Sequence, residues 1–191
     1  MAPDTPLMVM VTRLVGHKGL DLLCYIARQL LHEENCQLLI LGNGEAHFEH
    51  FFRELAAEYP DRVAAKIMFS IDLASRIYAG GDIYLMPSKS EPCGLSQMNA
   101  MHYGTVPVVH ATGGLKDTVP STDENGNGGL GFTFQSYNGE DFLYAVKRCL
   151  NLYHHNRENF QALQYRGMVQ DFSWDAPAEK YMALFRHICN S

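Results

Sequence analysis

The chain has 191 residues, 47% of them hydrophobic, which is enough for one large domain with a sizeable core or at most two small ones. Fifteen Lys and Arg against 21 Asp and Glu give a formal charge of −6, so there is no broad basic field to attract nucleic acid or an anionic membrane, and any phosphate must be held by a few placed cations and backbone amides. Cys24, Cys36, Cys93, Cys149 and Cys189 are scattered without a Cys-x-x-Cys pair, residues 1–6 lack the features of a signal peptide, and no apolar run approaches the roughly 20 residues of a membrane span, a combination that fits a soluble cytosolic protein with reduced thiols.

In chain order, short runs rich in Val, Ile and Leu alternate with longer amphipathic segments, the mark of repeated βαβ units around a parallel sheet. The pattern predicts strands at 7–12, 37–41, 63–69, 83–86, 106–110 and 131–134, with helices at 19–33, 46–59, 73–79 and 95–103 between them. Breakers such as Gly42-Asn43-Gly44, Tyr59-Pro60 and Gly80-Gly81 bound the helices. The polar, glycine-rich stretch 121–131 reads as a flexible loop that forms no packed element. After Phe134 come three helical stretches at about 140–153, 158–169 and 175–188, the last capped by Ser173 or Asp175. These elements imply an α/β, Rossmann-like doubly wound parallel sheet with extra C-terminal helices, one domain over residues 1–191. Tyr181, Leu184, Phe185 and Ile188 recur at helical spacing, so the last helix must bury a face, first of all on its own domain and otherwise on a second copy.

Ligands of an open parallel sheet bind beyond the carboxyl ends of the strands, where helix N-termini present free N–H groups. Three loops at that edge carry unusual residues. The first, after the opening strand, holds Arg13 and Lys18 before a helix; together they make a diphosphate clamp, or else are solvated surface charges. The second, Pro87-Ser88-Lys89-Ser90-Glu91-Pro92-Cys93-Gly94-Leu95-Ser96-Gln97, holds Glu91 in a turn stiffened by Pro92, beside the amides of Gly94, Leu95 and Ser96. A carboxylate there orients sugar hydroxyls and stabilises an oxocarbenium-like centre; the plainer use is as a cap for the following helix. The third, Thr112-Gly113-Gly114-Leu115-Lys116-Asp117, is an anion-cradling turn or an ordinary tight loop. His17, His47, His50, His102 and the pair His154-His155 form no metal constellation, and Cys93 has no histidine at triad spacing, so neither a metal site nor a thiol nucleophile is expected.

The string Glu91-Pro92-Cys93-Gly94-Leu95-Ser96-Gln97, then Ala100-Met101, Tyr103-Gly104-Thr105-Val106-Pro107-Val108-Val109, Thr112-Gly113-Gly114-Leu115 and Asp117-Thr118-Val119, resembles the bacterial glycogen synthase and plant starch synthase family. Residues 13–21 and Asp171-Phe172-Ser173-Trp174 extend the likeness over essentially the whole chain. The resemblance implies the C-terminal half of a GT-B fold, in a retaining transferase that moves glucose from ADP-glucose or UDP-glucose to an α-1,4-glucan without a metal or other cofactor. In such enzymes the glucan sits mainly on a first half, with its Lys-x-Gly-Gly-Leu segment, that this sequence lacks; the chain alone is then expected to turn over little. By the same resemblance Arg13 and Lys18 neutralise the leaving diphosphate, and the amides near Leu95 and Ser96 hold its oxygens. Glu91 lies beside the glucose, Cys93, Gly94 and Leu95 contact its hydroxyls, and Phe69 meets the base, although a Phe at a strand end is more often core. Gln97, Thr112, Gly113 and Gly114 complete the predicted binding set. Two departures stand out: Ser90 replaces an aromatic residue before the glutamate, and His110-Ala111 replaces a basic pair.

Two other readings remain at this point. One is a non-catalytic glucan- or nucleotide-binding module, against which the retention of Arg13, Lys18 and Glu91 weighs. The other is a different GT-B enzyme such as a sucrose or trehalose-phosphate synthase, against which the Pro-Cys-Gly-Leu continuation weighs. The resemblance favours ADP-glucose and a cytoplasmic setting, or a plastid if the source is a plant or alga.

Overall fold

Strands covered on both faces need mostly apolar side chains, and the six strands here meet that demand apart from a few positions such as Gln37, Lys66 and Thr133. The computed structural model describes residues 5–189, with strands β1 (Leu7–Val11), β2 (Gln37–Gly42), β3 (Val63–Ile67), β4 (Ile83–Met86), β5 (Val106–His110) and β6 (Phe132–Phe134). All neighbours are parallel, in the order β3-β2-β1-β4-β5-β6. The helices are α1 (Leu20–Glu33), α2 (Ala46–Glu58), α3 (Ile71–Gly80), α4 (Ser96–His102), α5 (Gly113–Thr118), α6 (Gly139–His155), α7 (Arg157–Met168) and α8 (Asp175–Cys189).

Side chains alternate strictly between the two faces of the sheet. Met8, Met10, Leu38, Ile40, Leu85 and Val108 join one core with buried residues of α1, α2, α6 and α7, such as Leu23, Phe52, Phe142 and Phe160. Val9, Leu41, Tyr84, Met86 and Val109 join the other with Ile77, Met101 and Leu115 from α3, α4 and α5. Each fully buried Leu, such as Leu23, contributes roughly 1.5–3 kcal/mol.

Four local expectations change. The third loop contains a helix, α5, which starts at Gly113. The third strand ends at Ile67, and α3 begins already at Ile71 because the Ser70 hydroxyl caps it, accepting from Leu73 N–H at 3.2 Å. Phe69 is thereby turned out of the strand. Residues 121–131 are not an unpacked loop: Arg166 of α7 donates to the carbonyls of Gly126, Gly128 and Gly129, Asp123 accepts from the amides of Asn125 and Asn127, and Thr122 and Leu130 are buried. The clamp comes from a side chain far along the sequence, which local composition does not reveal.

The fourth change concerns α8. Tyr181, Leu184, Phe185 and Ile188 are all exposed, so the helix does not bury its apolar stripe on the rest of the domain. Among the described residues, no helix is long and apolar enough to cross a membrane.

Candidate functional site

The sheet reverses its strand order between β1 and β4, and the crevice beyond their carboxyl ends is the place such folds offer to ligands. Both predicted loops leave from these two adjacent strands. Arg13 and Lys18 follow β1, with a 3-10 turn at Gly16–Lys18, and Glu91 follows β4.

Main-chain contacts lace the loops together. Lys89 N–H donates to His17 C=O at 2.9 Å, and Gly114 N–H donates to Glu91 C=O at 3.0 Å. Gly19 passes so close to Pro87 that a Cβ would lie 1.9 Å from its carbonyl oxygen. A Cβ on Gly113 would lie 2.1 Å from Glu91 C=O, and one on Gly114 would lie 2.6 Å from Cys93 Cα. The Gly-Gly pair therefore lets α5 press its first turn against the acidic loop, where it buttresses Glu91.

The side chains continue the pattern. Lys18 Nζ stands 2.5 Å from Glu91 Oε2, with only 17% and 10% of the two side chains exposed, and Ser88 Oγ is 3.5 Å from the same oxygen. Glu91 is thus held by a cation from the neighbouring loop and does not cap α4, whose first turn has no side-chain cap. The amides of Gly94, Leu95 and Ser96 take no part in the backbone bonds that join the loops. Beneath them the buried Gln97 amide nitrogen donates to the carbonyls of Cys93 (3.2 Å) and Gly94 (2.9 Å) and to Thr118 Oγ1 (3.0 Å). Gln97 was expected to line the binding surface; it has no exposed surface and shapes the turn from behind.

Beside this turn a cleft of about 340 Å³ is lined by Arg13, Phe69, Ile71, Ser96 and Asn99 among others. Phe69 is 79% exposed, so its ring is a wall of the cleft and not part of the core. Lys18 and Glu91 are not among the residues that line the cleft; they belong to the two loops that supply Arg13 and Ser96 to it. Thr112, next to Gly113, is half-buried at the start of α5. Cys93 is exposed, with its thiol 3.6 Å from Gly94 C=O. No group of three or more His, Cys, Asp or Glu among the described residues could hold a metal ion.

Two further residues position the site. The buried His110 ring places Nδ1 2.8 Å from Ser88 C=O and Nε2 3.3 Å from Gln135 C=O, joining the acidic loop to the segment after β6. Tyr84 donates its hydroxyl to Val11 C=O at 2.9 Å, tying β4 to the exit of β1, and burial pushes its phenol well above its ordinary value, so it stays a donor. A polar ring inside an apolar strand was the sequence signal for both.

A cation, a rigid carboxylate and an aromatic-walled cleft at a switch point suit a phosphorylated ligand joined to a ring system, and the chain is similar to known proteins over nearly its whole length. The chain is 46% identical over 188 residues to a glycogen synthase of Desulforamulus reducens, covering 98% of this chain and 39% of that one. It is 47% identical over 189 residues to a glycogen synthase of Exiguobacterium sibiricum, with 99% and 39% covered, so it spans about two fifths of the length of these relatives. Among solved structures it is similar to the catalytic domain of starch synthase IV from Arabidopsis thaliana bound to ADP and acarbose, at a TM-score of 0.87 and 34% identity over 96% of this chain and 38% of that one. Its sheet therefore has the Rossmann-like architecture of the C-terminal GT-B domain in that enzyme. Sucrose-phosphate synthase of Thermosynechococcus elongatus shares the fold at 23% identity and a TM-score of 0.67 over 100% of this chain and 47% of that one. The family model described as glycosyl transferases group 1 matches residues 2–164, a span that contains every residue of the laced loops, and the chain belongs to that glycosyltransferase family.

Proposed function

We propose that this chain is the nucleotide-sugar-binding half of a glycogen or starch synthase. It holds ADP-glucose or UDP-glucose while glucose passes, with retention, to the non-reducing end of an α-1,4-glucan. The acceptor is held mainly by the part of the relatives that this chain does not span, and the chain alone binds its donor with little or no turnover.

The observation that carries the reading is the Lys18–Glu91 contact between the two loops that supply Arg13 and Ser96 to the cleft walled by Phe69. The base lies on Phe69, whose exposed ring gives stacking area without hydrogen-bond readout. The diphosphate lies toward Arg13 and the amides of Gly94, Leu95 and Ser96, with Lys18 next to it. Charge builds on the diphosphate as the glycosidic bond breaks, and preorganised cations and amides stabilise that charge without reorganising, so no metal is called on. Glu91 keeps its carboxylate beside the sugar, and Gly113 and Gly114 support it from below while Thr112 and the backbone of Cys93 face the sugar hydroxyls. The solved starch synthase domain is bound to ADP, which favours adenine in the donor here. The five free thiols support a reducing compartment, the cytoplasm or a plastid.

Calorimetric titration of ADP tests the clamp. Arg13→Ala and Lys18→Ala should each weaken binding about tenfold or more, the loss of a charge-assisted contact. Equal affinity in the parent chain and both variants would remove the assignment.

A further inference from the structure

The amino edge of the sheet, opposite the acidic turn, carries a second concave surface. A groove of about 350 Å³ opens there between the C-terminal ends of α3 and α4 and the side of α7. Tyr103 and Tyr165 flank it, 47% and 66% exposed. Gln161 and Gln164 line it from α7, and Asp82 lines it from just before β4. Gly80 adds open floor, since a Cβ there would meet nothing within 4 Å. The four residues of β4 set the groove apart from the acidic loop by about 13 Å along the strand.

The groove's polar side chains are one carboxylate, two amides and two phenol hydroxyls. None of the described residues lining the groove is Lys or Arg. Asp82 accepts from Leu7 N–H at 2.9 Å through Oδ2, while its Oδ1 is 4.0 Å from the nearest Arg157 nitrogen and so is not tightly paired. Gln164 uses its amide nitrogen on Gly104 C=O at 2.7 Å, which leaves its side-chain oxygen as an acceptor. A phosphate would meet a carboxylate with no Lys or Arg among the lining residues to offset it. A neutral polyhydroxylated ligand would instead donate its hydroxyls to those oxygens and lay the C–H face of each ring on a tyrosine. Tyr165 lies on α7 and Tyr103 directly after α4, and two rings on separate elements suit a chain of sugar units better than a single one.

We infer that this groove is a binding site for an α-glucan chain, distinct from the donor cleft and able to anchor the polymer on this half of the enzyme. The preference for a neutral polyol rests on the groove itself; the choice of α-glucan rests on the proposed function above.

Maltohexaose titrated into the 191-residue chain, followed by backbone amide shifts, provides the test. Shifts should cluster around Tyr103, Gly104 and residues 161–165, and the affinity should fall about tenfold in Tyr103→Ala and in Tyr165→Ala. Gln161→Ala, an exposed change on α7 with little folding hazard, should weaken binding in the same direction. ADP titrated into the same variants should bind as it does to the parent chain, which also shows that they are folded. No maltohexaose shifts, shifts confined to the loops after β1 and β4, or equal affinity in all three variants would each overturn the groove. Maltohexaose binding at the groove without ADP binding by the parent chain would overturn the donor reading and leave the groove standing.

Discussion

Gly113 sits at φ +47° with the carbonyl of Glu91 where a Cβ would go, so its role is steric and backbone-conformational at once. Gly113→Ala should cost roughly 2–4 kcal/mol of stability in urea unfolding. Gly16→Ala, in a neighbouring loop where a Cβ meets nothing within 4 Å, should cost less than about 0.5 kcal/mol. Similar losses in the two variants would refute the buttress. Asp82 makes a different prediction. Burial raises its carboxyl above the ordinary 3.8, outweighing the Leu7 amide and Arg157, which lower it. The native state therefore holds the proton to higher pH than the unfolded chain does, and wild-type stability falls as pH rises from 3.8 through the raised value. Asp82→Asn keeps an oxygen for Leu7 N–H and cannot ionise, so its stability relative to wild type should improve from pH 4 to pH 7 in thermal melts; an unchanged difference would contradict this. At this scale the sequence singled out candidate residues by type and loop but did not show what they touch. Arg13, Lys18 and Glu91 were recognisable from their types and loops, whereas the pairing of Lys18 with Glu91 joins positions 73 apart and depends on β1 lying beside β4. Gln97 shows the converse: its place in the motif was plain, but its burial beneath the turn was not.

Among the elements, α8 stands apart because its apolar stripe is uncovered. Deleting residues 170–191 should change the unfolding free energy of the remaining domain, measured in urea, by less than about 0.5 kcal/mol, since little apolar surface would be lost from contact. A loss of several kcal/mol would mean that the helix packs on the domain in solution. Sedimentation of the full chain over a range of concentrations bears on the same stripe: association that disappears with the deletion would identify a second copy as its cover. The helical spacing of Tyr181, Leu184, Phe185 and Ile188 did predict the helix, but periodicity says that a face is apolar and not what covers it. The six strands were legible because each is a short apolar run bounded by breakers. The short helix α5 and the clamped segment 121–131 were not, since glycine-rich composition describes a backbone without naming the distant Arg166 that holds its carbonyls.

Across the whole molecule, alternation of strand and helix was enough to predict a parallel sheet, but strand order was not available from it, because pairing is non-local. That order is what brings the site together: β1 and β4 are separated by two other strands in sequence and are neighbours in space. The net charge of −6 sets the scale of the electrostatics, for anionic ligands approach against the general field and must be captured by a few local cations. The lacing of the carboxyl edge has a further consequence for how this surface can change over time. Its contacts run through main-chain atoms, at His17, Pro87, Lys89 and Glu91, so the side chains on the outer rim are free to vary without deforming the frame. Selection from a library randomised across the rim would return many residues at Ser90 or His17 and only glycine at 19, 113 and 114: specificity here is evolvable, and the scaffold that supports it is not.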